Sequence, residues 1–89
     1  MSTMLRIVFT PSFLRQCAAL PQALQEEVKE KILVFQKDPR HSSLRTHKLK
    51  GALKGYWSFR VNYAYRIVFE YDSKNTVALL KVGDHDVYA

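Results

Sequence analysis

The sequence has a single cysteine, Cys17, and no apolar run that approaches the length of a membrane span. One thiol excludes a disulfide or a thiolate zinc site within one chain, and in "FLRQCAAL" we predict a small buried residue rather than a nucleophile. A span would need about 20 apolar residues, and "MLRIVF" is too short for a secretory signal, so we expect a cytoplasmic protein. The 89 residues, 47% of them apolar and 25% charged, predict one globular domain, residues 1–89, with a modest core.

Acidic residues are scarce between positions 37 and 66, where Asp38 is the only one. Eight basic residues give this segment a charge of +7, against +6 for the whole chain. They are Lys37, Arg40, Arg45, Lys48, Lys50, Lys54, Arg60 and Arg66. Such a field attracts polyanions, of which nucleic acid is the commonest in the cytoplasm. The alternative is a solvated face that only keeps the protein soluble.

The first half of the chain predicts one strand and two helices. The apolar run Met4 to Phe9 is typical of a strand, and Thr10-Pro11 then supplies an N-cap hydroxyl and a proline for a helix from Pro11 to Leu20. A second helix follows Pro21 and stops at Asp38-Pro39. Its apolar residues recur at helical spacing, at Leu24, Val28, Ile32 and Phe35.

After a basic loop, "RHSSLRTHKLKG", the apolar period changes from helical to two. The alternation in "YWSFRVNYAYRIVFEY" predicts two strands with aromatic residues on one face, and "TVALLKV" predicts a third, interior strand. The predicted class is α+β: an N-terminal strand, a two-helix hairpin and a three-stranded antiparallel sheet, with the helices on one sheet face.

The same alternation places two arginines on one sheet face. A three-residue turn at 62–64 would set Phe59 against Ile67 and Arg60 against Arg66, because opposed residues share a face. A five-residue turn would move the pairing along but leave both arginines on the same side. Opposed arginines repel each other unless an anion lies between them. Either Arg66 finds a carboxylate, with Glu70 within reach, or the pair forms a phosphate site on the face without helices.

These elements, with "HKLKGALKGYW" leading into "FRVNYAYRIVFEY" and "KVGDHDVY" at the end, resemble the RelE/ParE superfamily of type II toxin–antitoxin toxins. The similarity is greatest to YoeB-like and YafQ-like messenger-RNA interferases. It implies a RelE-like fold and a ribosome-dependent endoribonuclease that uses no metal or other cofactor. The implied partners are a cognate antitoxin and messenger RNA on the ribosome, without a membrane.

The resemblance also implies a role for particular residues. His47 stands where YoeB-like toxins have a glutamate base and YafQ-like toxins a histidine. Arg66 matches an arginine of the YoeB type that contacts the scissile phosphate, whereas Arg60 replaces a catalytic histidine of the YafQ type. His85 matches the terminal histidine of both types, and Tyr88 matches an aromatic residue near the chain end. The set is therefore a mixture of two types, and the acid and the base are not fixed by the match.

Metal-free RNA cleavage needs a base for the 2′-hydroxyl proton, cations for the phosphorane and an acid for the leaving 5′-oxygen. Histidine suits both proton transfers, and the arginine fork suits phosphate. We therefore expect His47 as base, His85 as acid, Arg66 with Arg60 on the phosphate, and Tyr88 orienting or stacking on a base. The expected RNA-binding residues are Arg45, Lys48, Lys50 and Lys54; two of them, Lys48 and Lys50, fall near the lysines that RelE uses.

Two other hypotheses for the function remain. A non-catalytic ParE-type toxin that binds DNA gyrase would have the same fold, and so would an inactive relative that keeps only antitoxin binding. A zinc site is not expected, because the histidine spacing fits no standard pattern.

Overall fold

The computed structural model describes residues 4–84, which form two helices and a five-stranded mixed sheet. The elements in chain order are β1 (Arg6–Phe9), α1 (Pro11–Ala18), α2 (Gln22–Lys37), β2 (His47–Lys48), β3 (Trp57–Arg60), β4 (Arg66–Ser73) and β5 (Thr76–Gly83). Short 3-10 turns at Ser42–Leu44 and Gly51–Leu53 flank β2. The α+β class predicted from the sequence is confirmed.

The sheet is larger than the sequence predicts, with strand order β1-β5-β4-β3-β2. The three predicted antiparallel strands are β3, β4 and β5. The N-terminal strand joins them by parallel pairing with β5, and β2 adds a two-residue antiparallel edge to β3. The prediction of a loop at His47–Lys48 is therefore wrong. Two residues are too short for an alternating pattern, and backbone pairing alone makes this strand.

The first helix begins where the sequence predicts. The Thr10 hydroxyl accepts the Phe13 amide at 3.2 Å and donates to the Leu79 carbonyl at 2.8 Å, so it caps α1 and ties it to β5. The helix ends at Ala18, two residues before the predicted Leu20. The Leu20 amide still bonds to the Cys17 carbonyl, while its own carbonyl accepts from the Gln25 side chain, as the chain turns into α2.

The core lies between the helices and the predicted aromatic face of the sheet. The Phe35 ring of α2 stacks on Phe59 with centroids 4.3 Å apart and meets Phe69 edge-on at 4.8 Å. All three rings are fully buried. The four periodic residues of α2 are buried as predicted: Leu24, Val28, Ile32 and Phe35. The aromatic alternation thus locates the core face correctly.

The opposite sheet face, which we call the open face, is turned away from α1 and α2. Strand register and alternation place these side chains on it: His47, Ser58, Arg60, Arg66, Val68, Glu70, Ala78 and Lys81. The face is not wholly bare, because Val68 is only 2% exposed. Leu53 and Tyr56, from the segment between β2 and β3, help to line a concavity over Val68.

Candidate functional site

The centre of the candidate site is a pair of directly opposed arginines on the open face. Arg60 of β3 pairs with Arg66 of β4, and Phe59 pairs with Ile67. The Val61 amide bonds to the Tyr65 carbonyl at 2.9 Å, which closes a three-residue turn at 62–64. Of the two turn lengths that the sequence allows, this is the shorter, and the two arginines share a face as predicted. Both arginines are half-buried, and their register places them on the open face.

The two arginines differ in their contacts. One guanidinium nitrogen of Arg66, Nη1, donates to the carbonyl oxygens of Asn62, Tyr63 and Tyr65 at 2.7, 3.2 and 3.1 Å. Carbonyl groups of the turn, and not the Glu70 carboxylate, therefore engage Arg66, so the ion-pair alternative does not hold among the described residues. In contrast, within residues 4–84 no hydrogen bond or ion pair engages the Arg60 side chain. An unengaged, half-buried guanidinium is the group most ready to take an anion.

The turn that Arg66 holds is also braced by Asn62. Its side-chain oxygen accepts the backbone amides of Ala64 and Tyr65, each at 2.9 Å, as in an Asx turn. Its side-chain amide donates to Glu27 of α2 at 3.3 Å. These bonds brace the backbone of the hairpin end that follows Arg60.

His47 reaches the open face through β2. It pairs with Ser58, so Arg60, two residues further along β3, is its diagonal neighbour on the same face, at a typical separation of about 7–8 Å. The loop before it is anchored by the buried Leu44 and by a 2.6 Å bond from the Thr46 hydroxyl to the Pro39 carbonyl. His47 therefore lies beside the arginine pair, and its role as a base stays a prediction.

The imidazole of His47 is oriented by its own loop. Nδ1 lies 2.8 Å from the Arg45 carbonyl, and since a carbonyl can only accept, Nδ1 carries the proton. Arg45 adopts the left-handed conformation, with φ of 48°, which is uncommon for a residue with a side chain. In the neutral ring Nε2 is then the acceptor, and the ring is exposed.

The four expected RNA-binding residues do not form one group with this site. Lys48 pairs with Trp57, on the core side of the sheet, and its ammonium lies 5.5 Å from the centre of that ring. Lys48, Lys50 and Lys54 line a separate concavity of about 600 Å³ at the β2 edge, together with Tyr56 and Trp57. Arg45 is exposed, and its backbone rather than its side chain is what positions His47.

Two of the predicted site residues, His85 and Tyr88, lie outside the described residues. Among residues 4–84, no group of three or more histidine, cysteine, aspartate or glutamate side chains is arranged to hold a metal ion. None of the helices described is both long enough and apolar enough to cross a bilayer.

Comparison with known proteins identifies the family. A family model described as the RelE-like toxin of the type II toxin–antitoxin system HigB matches residues 19–85, three quarters of the chain. The chain belongs to this family. No curated protein matches it.

Solved structures of related toxins share the fold. The toxin resembles a chain of the RelBE2 toxin–antitoxin complex of Mycobacterium tuberculosis with a TM-score of 0.78 and 24% identity, covering 93% of this chain and all of that one. YafQ of Escherichia coli gives 0.73 and 14%, over 94% and 97% of the two chains. The YoeB–YefM complex of Staphylococcus aureus gives 0.69 and 22%, over 93% and 99%. At these identities the likeness is one of fold.

Sequence reasoning missed Lys81, which the toxin presents on the open face. The run "TVALLKV" predicts a strand that is apolar on both sides, and this pattern does not indicate that its lysine lies on the open face. In the pairing of β4 with β5, Phe69 lies opposite Leu79 but Val68 lies opposite Lys81, so Leu80 is an extra residue. This bulge turns Lys81 to the face of Val68. Nothing in the alternation of a single strand reveals such a shift.

Proposed function

We propose that this toxin is a ribosome-dependent endoribonuclease that cleaves messenger RNA without a metal and thereby inhibits translation. The observation that carries the proposal is the juxtaposition on one sheet face of an unengaged arginine, Arg60, and an oriented histidine, His47. Family membership adds support, because it makes the chain a RelE-family toxin. The cytoplasm is the compartment that such a substrate requires.

The proposed reaction is an internal transphosphorylation. Nε2 of His47 takes the proton of the ribose 2′-hydroxyl, and the oxygen attacks the adjacent phosphorus. The Arg60 fork binds the phosphate and stabilises the added negative charge of the phosphorane. The bond to the 5′-oxygen breaks, and an acid returns a proton to that oxygen. His85 remains the candidate for this acid and Tyr88 the candidate for orienting a base, both as predictions from the sequence.

Arg66 has a different part in this proposal from the one that the resemblance implies. Because its Nη1 already donates to the turn, Arg66 first fixes the hairpin end next to Arg60. It adds positive charge to the phosphate site from that fixed position. The lysine concavity at the β2 edge would contact RNA away from the scissile bond, so it contributes affinity rather than chemistry.

The test is a translation extract with one defined message and mapped RNA ends. We expect cleavage within codons only when ribosomes are present, and a loss of about 10²–10⁴-fold for His47→Ala, the usual range for a general base. His41→Ala is the matched control, because His41 is an exposed loop histidine bonded to Ser43 at 2.8 Å and lies outside the open-face set. Loss of DNA supercoiling without RNA cleavage would instead support a gyrase-directed toxin.

A type II toxin implies an antitoxin, and we propose that the antitoxin covers the apolar surface between α1 and α2. Two exposed leucines support this, Leu14 and Leu33, which are 53% and 57% exposed. They border a groove of about 430 Å³ that is lined by Phe9, Phe13, Leu14, Cys17, Val28, Lys29, Ile32 and Leu33. An amphipathic antitoxin helix would bury this groove. Leu33→Lys should weaken the complex while leaving the free toxin folded, and Lys37→Met on the same helix should not.

A further inference from the structure

The open face contains a small concavity that the proposed reaction does not use. It has a volume of about 270 Å³ and is lined by Leu53, Tyr56, Val68, Leu80 and Lys81. Val68 is its almost fully buried apolar floor. Lys81 is exposed, and it borders the concavity together with an aromatic ring and aliphatic side chains.

The concavity lies next to the proposed phosphate site, two residues further along β4. Val68 pairs with Ser58, which pairs with His47, so the pocket floor and the histidine lie in one row across the sheet. Arg66 precedes Val68 by two residues on the same strand and face, which corresponds to about 6.6 Å along the strand. This offset matches the separation between the phosphate of a nucleotide and its own base.

A bulge brings Lys81, the one cation among the described lining residues, to this pocket. Lys81 faces Val68 because Leu80 is an extra residue in β5 relative to β4. Without that residue, simple alternation would turn position 81 to the core side, like Leu79. Bulges commonly re-aim a side chain beside a functional site.

The chemistry of the lining favours one kind of ligand. An apolar floor and the Tyr56 ring suit a flat base. The Lys81 ammonium has three donors and no acceptor, so it favours a base edge that presents acceptors. Guanine offers two neighbouring acceptors, N7 and O6, whereas uracil offers one, O4, and adenine and cytosine present an amino donor on the corresponding edge.

We propose that this pocket binds the nucleobase next to the scissile phosphate and prefers guanine, with Lys81 donating to its N7 and O6 and Tyr56 stacking on the ring. This rests on the proposed RNA cleavage, and it goes further by naming the residues that select the base. Lys81 and Tyr56 are therefore specificity residues, distinct from His47 and Arg60, which act on the sugar and the phosphate.

The test is a titration of the isolated toxin with guanosine, adenosine and cytidine 3′-monophosphates, followed by NMR of the Val68 methyl groups. We expect guanosine monophosphate to bind several-fold more tightly than the other two and to shift Val68. Lys81→Met should weaken guanosine binding about tenfold, the range for loss of a paired base contact. Lys74→Met is the matched control, because Lys74 is an exposed lysine in the turn at the start of β5. Tyr56→Leu should weaken all three nucleotides.

Equal affinity for the three nucleotides, no shift at Val68, or unchanged guanosine binding by Lys81→Met would each overturn the proposal. Because the titration needs neither ribosomes nor cleavage, its outcome is independent of the nuclease assay. Cleavage of messages without a preference at the adjoining base would overturn the pocket and leave the nuclease intact. Absence of cleavage together with guanosine-selective binding would overturn the nuclease and leave the pocket intact.

Discussion

Arg60 and Arg66 are directly opposed, yet replacing each of them by methionine should change the stability of the toxin in opposite directions. Arg60 makes no hydrogen bond or ion pair within residues 4–84, whereas Arg66 donates to three carbonyl oxygens of the adjoining turn. Methionine keeps most of the length of the side chain and its apolar contacts and removes only the charge and the donors. Arg60→Met should therefore stabilise the fold, and Arg66→Met should destabilise it.

The gain at Arg60 follows from the repulsion between the two guanidinium groups. At a separation of about 7 Å, two unit charges repel by about 0.6 kcal/mol at the dielectric constant of water. Like charges on opposed sheet residues are destabilising by a similar amount. We expect Arg60→Met to raise the free energy of unfolding by about 0.5 kcal/mol at low salt. The gain should shrink as salt is added, because the Debye length falls to about 10 Å at 0.1 M.

The loss at Arg66 follows from the turn. Hydrogen bonds that involve a charged group contribute about 1.5–3 kcal/mol each when buried, but these three share one nitrogen at a half-buried site. Water can replace part of what is lost, and the relief of repulsion offsets about 0.5 kcal/mol. The net cost of Arg66→Met should be about 1 kcal/mol.

Urea denaturation of the wild type and both variants at two salt concentrations measures these changes. For a domain of this size a change of 1 kcal/mol corresponds to about 4–8 °C in Tm, so thermal melts can resolve both effects. If Arg60→Met were destabilising by 1 kcal/mol or more, Arg60 would be a structural residue and not a site held ready for an anion. If Arg66→Met left the free energy of unfolding unchanged, the hydrogen bonds from Arg66 to the turn would not contribute to stability.

The remaining predictions concern the core, the β2 edge and the thiol. Phe35→Ala should lower the free energy of unfolding by about 3–5 kcal/mol, because Phe35 is fully buried and stacks on Phe59; denaturation curves would detect it, and a loss below 1 kcal/mol would contradict the packing. Gly55→Ala should cost about 1–2 kcal/mol, because Gly55 has φ of 99° while the space around it is open; an unchanged Tm would contradict this. Burial raises the pKa of the Cys17 thiol, and the nearby charge of Lys29 partly opposes this rise. Because less thiolate is then present at neutral pH, iodoacetamide should modify the folded toxin more slowly than the unfolded chain. Equal rates of modification would contradict this prediction.

The sequence predicts much of the fold because its two periods are clear. The helical spacing from Leu24 to Phe35 and the alternation around Phe59 and Phe69 both report burial, which is what the hydrophobic effect selects. The opposed arginines follow from the same alternation together with a short turn. These features depend on neighbours in sequence or on one hairpin.

The sequence fails where contacts depend on backbone geometry or on distant elements. The parallel pairing of β1 with β5 joins the two ends of the chain, and β2 is too short for any pattern. Arg66 donates to backbone carbonyl groups, and because every residue has one, the residue types do not predict these bonds. Lys81 reaches the open face only through a bulge in β5. The part of the site that involves His85 and Tyr88 remains a prediction.

The central claim is that Arg60 binds and stabilises the phosphate that is cleaved. Its most direct test is the single-turnover rate of message cleavage on programmed ribosomes by the wild type, Arg60→Met and Arg15→Met. Arg15 is an exposed arginine of α1, so its replacement removes the same charge from the helical side. If Arg60 binds this phosphate, the rate should be at least about 100-fold lower for Arg60→Met, as for loss of one oxyanion donor, and nearly unchanged for Arg15→Met. Cleavage by Arg60→Met within a few-fold of the wild type would contradict it.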